Sequence, residues 1–292
     1  MREPNPPGPP GGFRVVSWNI RAGIGPGEPF PPAWWRHVDL GRLESIAACM
    51  RGLDADVVTL QEVSILTVDG AVVDEPALLA GRTGLEVRYG AVHAFPLVEP
   101  GSGATVGSAM WGNAILARAP LEGLTVRGLP RAADDDLVEP AGAEHPLAGA
   151  RYAAVEPGHR EARCVVAGRA GGVGVATAHL TYIGREQRRR QVEALAAWTS
   201  SMADPLIVTG DLNAPITADE VAPLRAAFTD AFALVGVPPG DDRRRSCDAV
   251  AIDHVFVRGI EVVACRVATE AGDRSDHWPV VTDLRLSAAD RA

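Results

Sequence analysis

The chain has 292 residues, and 47% of them are hydrophobic, enough to bury a sizeable core in one large domain or two small ones. Its formal net charge is −9 and all 28 basic residues are arginine, which argues against a protein that grips long nucleic acid through a broad basic face and leaves room for a local arginine patch. No run approaches the roughly 18 apolar residues of a membrane-spanning helix, and the Pro/Gly-rich start lacks the apolar stretch of a secretory signal. Cys49, Cys164, Cys247 and Cys265 are widely spaced, with no zinc or disulfide pattern. The expectation is a cytoplasmic protein with buried or free thiols.

Residues 1–12 read as a disordered tail ahead of one domain over 13–288. Residues 13–18 alternate as a strand that ends at Asn19. Gly and Pro dominate the loop at 21–38, whose Trp34 and Trp35 either wall a pocket or anchor the loop. The spacing of Leu43, Ile46, Ala47 and Met50 predicts a helix over 40–53. A buried strand at 57–60 ends at Gln61-Glu62, and a short helix is expected at 76–82. The chain then turns β-rich, with strands at 87–92, 108–117, 123–127, 150–155, 162–169 and 173–179, separated by Gly, Pro and Asp. Residues 131–146 read as an exposed acidic insertion. An amphipathic helix over 185–200 puts Val192, Leu195, Ala196 and Thr199 on one face. A strand at 206–209, a short helix at 219–228 and strands at 252–257, 262–267 and 280–286 follow. With many strands, few helices, no composition break and no internal repeat, the expected architecture is one α/β domain in which two β-sheets pack face to face with helices outside.

Polar groups sit where these strands end: Asn19, Glu62, His179, Asp211 with Asn213, and Asp253, joined by Asp276 with His277 just before the last strand. A sheet rim holds such groups rigidly, and chemistry in layered folds is commonly found there. A carboxylate at the rim needs water, a metal or a substrate to satisfy it. One such end alone is usually just solvated; six in one chain are hard to assign to chance.

Taken in order, Ser17-Trp18-Asn19-Ile20-Arg21, Leu60-Gln61-Glu62-Val63, Gly112-Asn113-Ala114-Ile115-Leu116, Ala178-His179-Leu180, Gly210-Asp211-Leu212-Asn213, Ile252-Asp253-His254-Val255 and Ser275-Asp276-His277-Trp278-Pro279-Val280 resemble the motif series of the endonuclease/exonuclease/phosphatase superfamily, the deoxyribonuclease-I-like metal-dependent phosphoesterases. The resemblance runs over roughly residues 13–286. It implies a four-layer α/β sandwich, two packed mixed β-sheets flanked by helices. It also implies Glu62 as the principal Mg²⁺ ligand (Mn²⁺ substituting), Asn19 as a ligand through its amide oxygen or through water, and Asp276 on the metal or one contact away from it. Asp211 would align and deprotonate the attacking water, with Asn213 orienting that water or the phosphate. His277 would donate to a phosphoryl oxygen, held and charged by Asp253. His179 would contact the scissile phosphate and protonate the leaving oxygen. Arg21 is a substrate-binding candidate, and Asn113 is either a turn residue or a substrate contact. Arg188 and Gln191 read as structural polar contacts. The run Arg243-Arg244-Arg245 is either a solvated loop or a neighbour of an anionic substrate.

The implied function is a Mg²⁺-dependent phosphoesterase with no covalent intermediate, its partner being a phosphoester substrate, with no obligate protein partner indicated. Substrate choice lies in the loops at 21–38, 94–112, 128–162 and 236–250. The acidic balance mildly favours a small-molecule or lipid phosphoester. A metal-dependent endo- or exonuclease acting on DNA or RNA is the alternative, and a catalytically silent binding protein on the same fold is a second one.

Overall fold

The computed structural model describes residues 12–27, 33–130 and 163–286. In chain order the strands among them are β1 (Gly12–Asn19), β2 (Val57–Val68), β3 (Ala71–Asp74), β4 (Glu86–Val98), β5 (Thr105–Ala117), β6 (Leu121–Gly128), β7 (Cys164–Ala170), β8 (Val173–His179), β9 (Leu206–Asp211), β10 (Thr229–Asp230), β11 (Asp253–Arg258), β12 (Glu261–Val267) and β13 (Val280–Arg285). The helices are α1 (Leu40–Leu53), α2 (Glu75–Thr83), α3 (Arg185–Ser200), α4 (Ala222–Ala227) and α5 (Ala231–Leu234).

Alternation along each strand decides which layer a side chain joins. In β1, Phe13 and Val15 face one way and Val16 and Trp18 the other; in β9, Ile207 opposes Leu206 and Val208. The strands form two sheets. One has the order β12-β13-β1-β2-β5-β4, with β3 added on the far half of β2; the other has the order β10-β11-β9-β8-β7-β6. Both are mixed: β1/β2 and β8/β9 run parallel, and the remaining pairs are antiparallel. Phe13, Val15, Val57, Val175, Ile207 and Val255 fill the space between the sheets. On the outer side of the first sheet, Val16, Trp18, Val58 and Leu60 pack with Leu43, Ile46 and Met50 of α1 and Leu79 of α2. On the outer side of the second, Ala176, Val208 and Phe256 pack with Val192 and Leu195 of α3 and Leu224 of α4. The result is helix, sheet, sheet, helix: the four-layer α/β sandwich expected.

Local chemistry sets the helix limits. Asp39 caps α1 by accepting from the Gly41 amide, and Asp74 caps α2 by accepting from Ala77. Helices were expected over 40–53 and 185–200, and α1 and α3 have those bounds. The strand expected at 57–60 instead continues to Val68, because its polar Gln61-Glu62 pair is a bulge and not an end. The helix expected over 219–228 is a 3₁₀ turn followed by the shorter α4. The short elements β3, β10 and α5 were not anticipated. The strand at 150–155, the insertion at 131–146 and residues 1–11 of the tail lie outside the described residues. Trp34 and Trp35 anchor their loop: both are buried, and Trp34 meets Trp35 and Trp111 edge-on at 6.2 and 5.0 Å between ring centroids. All four cysteines are free thiols. Among the described residues, no helix is long and apolar enough to cross a membrane.

Candidate active site

The four strands of the two parallel pairs share a gradient on their inner faces. Each passes from an apolar residue through a short polar one to a group at the rim: Val15-Ser17-Asn19, Val57-Thr59-Gln61, Val175-Thr177-His179 and Ile207-Thr209-Asp211. The middle rung ties the sheets together. Thr59 Oγ1 and Thr209 Oγ1 are hydrogen-bonded at 2.8 Å, and Gln61 Nε2 donates to Thr177 Oγ1 at 2.8 Å. Two apolar faces could slide; these buried polar pairs favour one alignment. The rim above this rung therefore has a defined geometry with contributions from both sheets.

Glu62 reaches the rim by a backbone irregularity. Regular alternation would send it to the helix side with Val58 and Leu60. The register of β2 against β5 breaks between Leu60 and Val63, and Glu62 has φ of 52°. Such left-handed backbone at a non-glycine residue costs about 1–3 kcal/mol, so its surroundings must hold it. The buried Glu75 carboxyl does so by accepting from the Ser64 amide at 2.8 Å and from Ser64 Oγ at 2.7 Å. Tyr89 Oη adds a bond to the Val63 carbonyl at 3.3 Å. Gly210 solves a different problem: a Cβ there would lie 1.8 Å from the Ala178 carbonyl oxygen, so only glycine lets β9 close against β8 beside Asp211.

Asn19 sits between the two key carboxylates. Its Nδ2 donates to Glu62 Oε1 at 3.0 Å and to Asp211 Oδ2 at 3.1 Å, while its Oδ1 accepts from the Arg21 amide at 3.0 Å. The amide oxygen is thus turned away from the carboxylates and the amide nitrogen toward them. Asp211 Oδ1 accepts from the Asn213 amide at 2.9 Å. Across the strand pair, Asp253 faces Asp211 in register. Asp253 Oδ2 lies 2.7 Å from His277 Nδ1 and accepts from Ser246 Oγ at 2.7 Å. His277 Nε2 then lies 3.7 Å from Asp211 Oδ2. On the other side His179 Nε2 lies 3.5 Å from the same oxygen and 3.0 Å from Asn213 Nδ2.

These surroundings set the charges. Burial, aided by the nearby Asp253 charge, pushes Asp211 up to about 7. Burial and then Asp276 raise Glu62. Burial alone would discharge His277, but the Asp253 carboxylate outweighs it and holds the ring charged, well above its ordinary value. His179 goes the other way: burial, then the cations Arg163 and His277, drive it well below its ordinary value. Its ring is neutral. The Asn213 amide donates toward Nε2, which assigns the ring proton to Nδ1. Neither His179 Nδ1 nor Asp253 Oδ1 has a hydrogen-bond partner, although both are buried; His179 Nδ1 faces Glu62 Oε1 at 3.8 Å.

The remaining candidates spread outward. Asp276 is partly exposed, close enough to Glu62 to raise its pKa, and lies 3.3 Å from Arg21 Nε. Arg21 is buried, and its Nη1 donates to the carbonyls of Gly25 and Gly27 at 2.7 and 2.6 Å. Its guanidinium therefore shapes the loop and holds Asp276. Asn113 lies inside β5, not in a turn, and donates to the Cys164 carbonyl of the opposite sheet at 3.1 Å. Arg188 pairs with the buried Glu220, and Gln191 accepts from the Thr181 amide, the structural contacts expected of them. Two residues escaped the sequence reading. Arg163, buried just before β7, acts electrostatically on Glu62 and His179. Ser246 fixes Asp253. Neither belongs to a motif; a signal for Ser246 exists only in its position shortly before the Asp253 strand.

The sequence profile of the Endonuclease/Exonuclease/phosphatase family matches residues 16–277. The chain belongs to this family. It is accordingly a metal-dependent hydrolase acting on phosphoric ester bonds. Solved structures share the fold of this family member. An endonuclease/exonuclease/phosphatase from Beutenbergia cavernae is 24% identical with a TM-score of 0.67, over 95% of this chain and 72% of that one. The human Nocturnin catalytic domain, solved with a bound sulfate anion, is 16% identical with a TM-score of 0.60, over 95% and 94%. A humanized Danio rerio TDP2 is 14% identical with a TM-score of 0.56, over 94% and 100%. A search of curated proteins finds no match.

The family's metal can be fitted to this rim. Asp211, Asp253 and His277 offer ligand atoms within 4.8 Å of one another. His277 is charged and already bonded to Asp253, so that trio resembles an oriented imidazolium facing a carboxylate more than a cage for a cation. Glu62, with the partly exposed Asp276 beside it and the Asn19 amide 3.0 Å from its Oε1, forms an oxygen-rich set that suits a hard divalent ion.

Proposed function

We propose that the chain is a Mg²⁺-dependent phosphoesterase that hydrolyses a small-molecule or lipid phosphoester by direct attack of water. The observation that carries this reading is the position of Asp211, a carboxylate poised near neutrality between the Glu62 carboxylate and the charged His277–Asp253 pair. Glu62, Asn19 and Asp276 would hold the ion, Asn19 after its amide turns its oxygen inward, and Mn²⁺ would serve in place of Mg²⁺. When bound, the ion supplies positive charge against the phosphoryl oxygens.

The protein's own groups do the rest. Asp211 aligns a water and takes its proton, a role for which a near-neutral base is well matched. Asn213, whose amide meets His179, orients that water or the phosphate. His277 donates from Nε2 to a phosphoryl oxygen as negative charge grows there, with Asp253 and Ser246 fixing the ring. His179, neutral with its proton on Nδ1, contributes a hydrogen bond to the phosphate. It is a weaker acid than a charged ring and so a poorer proton source for the leaving oxygen. Arg21 acts by holding Asp276, and Asn113 by holding the two sheets together. A tetrahedral oxyanion bound to the Nocturnin domain is in keeping with this fold accepting phosphate-like groups. The net charge of −9 favours a small or lipid substrate over long nucleic acid.

The test is hydrolysis of bis-p-nitrophenyl phosphate, p-nitrophenyl phosphate, sphingomyelin, an inositol phosphate, plasmid DNA and single-stranded RNA, each with Mg²⁺, with Mn²⁺ and with EDTA. Metal-dependent turnover of a small or lipid ester is the expected result. Turnover confined to the nucleic acids would replace the substrate class, and no turnover of any would remove the reading.

A further inference from the structure

Beside the rim lies a second recess. A cleft of about 660 Å³ starts at Asn213 and runs between the first turn of α3 and the loop that leads into β11. Four arginines line it against two carboxylates, in a chain whose net charge is −9. They divide by role. Arg188 pairs with buried Glu220 at 2.9 Å, and Arg244 pairs with Asp230 at 2.7 Å; both are themselves buried and brace the walls. Arg185 and Arg245 are different. Their side chains are 50% and 46% exposed, and each leans on acidic neighbours, Asp219 and Glu220 for Arg185 and Asp242 for Arg245. A guanidinium carries five donors, so such pairing leaves donors for a ligand. The run Arg243-Arg244-Arg245 thus splits three ways: Arg243 turns to Asp241 on the surface, Arg244 is buried, and Arg245 lines the cleft.

We propose that this cleft binds a second phosphate group of the substrate, with Arg185 and Arg245 as its ligands. The substrate class is then a small molecule or head group that carries a phosphate in addition to the scissile ester. The inference rests on the phosphoesterase reading of the adjoining rim. Asn213 belongs to both the rim and the cleft, so one molecule can span them. The cleft volume suits a ligand of nucleotide or inositol-phosphate size. Arginine forks match phosphate geometry, and two of them from separate elements select for where that phosphate sits.

Two measurements test this. The first compares, with Mg²⁺, the p-nitrophenyl ester of a nucleoside 5′-phosphate with and without an added 3′-phosphate. The wild type is expected to favour the phosphorylated ester by at least about tenfold in kcat/KM, mainly through KM, and the double variant Arg185→Gln/Arg245→Gln to lose that preference. The second is calorimetric binding of inorganic pyrophosphate in EDTA, which needs no turnover. Wild type and Glu62→Gln should bind alike, and the double arginine variant about tenfold or more weaker. Equal pyrophosphate binding by wild type and the double variant, or no wild-type preference between the esters, overturns the proposal. If neither ester is hydrolysed while pyrophosphate binding still depends on the two arginines, the hydrolase reading of the rim fails and the anion site stands.

Discussion

His179 and His277 flank one oxygen of Asp211 at 3.5 and 3.7 Å, yet they carry opposite charge states. Burial discharges both; only His277 has a carboxylate bonded to its far nitrogen to reverse the effect. The proposed mechanism requires Asp211 ionised and His277 protonated. Because burial raises Asp211, its carboxyl should titrate above the ordinary carboxylate range in the metal-free protein, and in the Mg²⁺ enzyme the rate should climb through an acid limb brought down from there by the cation's charge. Asp211→Asn should lower kcat by about 10²–10⁴-fold, and its residual rate should no longer climb with pH. A variant that keeps the wild-type acid limb would assign that limb to another group. Asp253→Asn should move the basic limb down, because the imidazolium loses its main support and discharges at lower pH. A pH–rate profile of this variant with an unmoved basic limb would dismiss His277 as the acid.

At the scale of elements, the β2 bulge and helix α2 form one device. Glu75 leads α2 and holds Ser64, two residues beyond Glu62, and burial lifts its carboxyl from an ordinary value of 4.5 to about 8. Between those values the folded protein binds more protons than the unfolded one, so stability falls as pH rises across that window and the contribution is gone above it. Glu75→Gln keeps an acceptor for the Ser64 amide without the charge. It should therefore be more stable than wild type in urea at pH 9 and lose that advantage at pH 5, with each kcal/mol worth about 2–4 °C in Tm. A variant destabilised equally at both values would mean that the carboxyl does not titrate in the fold. This device also marks what was legible. Helices α1 and α3 announce themselves by apolar spacing, and the rim groups by their place after apolar strands. The bulge was not legible: Gln61-Glu62 looks like a strand end because a polar pair after Val57-Val58-Thr59-Leu60 breaks alternation, and only pairing with β5 reveals that the strand continues. Arg163 and Ser246 were hidden for a related reason, since they reach the rim through tertiary packing and carry no local pattern.

At the scale of the molecule, the rim is shared. Asn19 and Glu62 come from the first sheet, and His179, Asp211 and Asp253 from the second, with hydroxyl and amide pairs joining the sheets just beneath. A cation held by Glu62, Asn19 and Asp276 would bind only the folded chain, so saturating Mg²⁺ should raise Tm by several degrees, about 2.7 kcal/mol at a hundredfold excess over Kd. Glu62→Gln should abolish that rise in a thermal melt; an equal rise in the variant would put the ion elsewhere. The first sheet also has an order of assembly written into it. β1 lies between β2 and β13, and β13 is the last in chain order of the described strands. His277 lies three residues ahead of that strand, and its backbone carbonyl accepts from Trp18 Nε1 at 2.9 Å. During synthesis, then, one edge of β1 stays open and the imidazolium is missing until residues 277–285 have left the ribosome. On the proposed mechanism, the growing polypeptide lacks its donor to the phosphoryl oxygen until β13 docks beside β1.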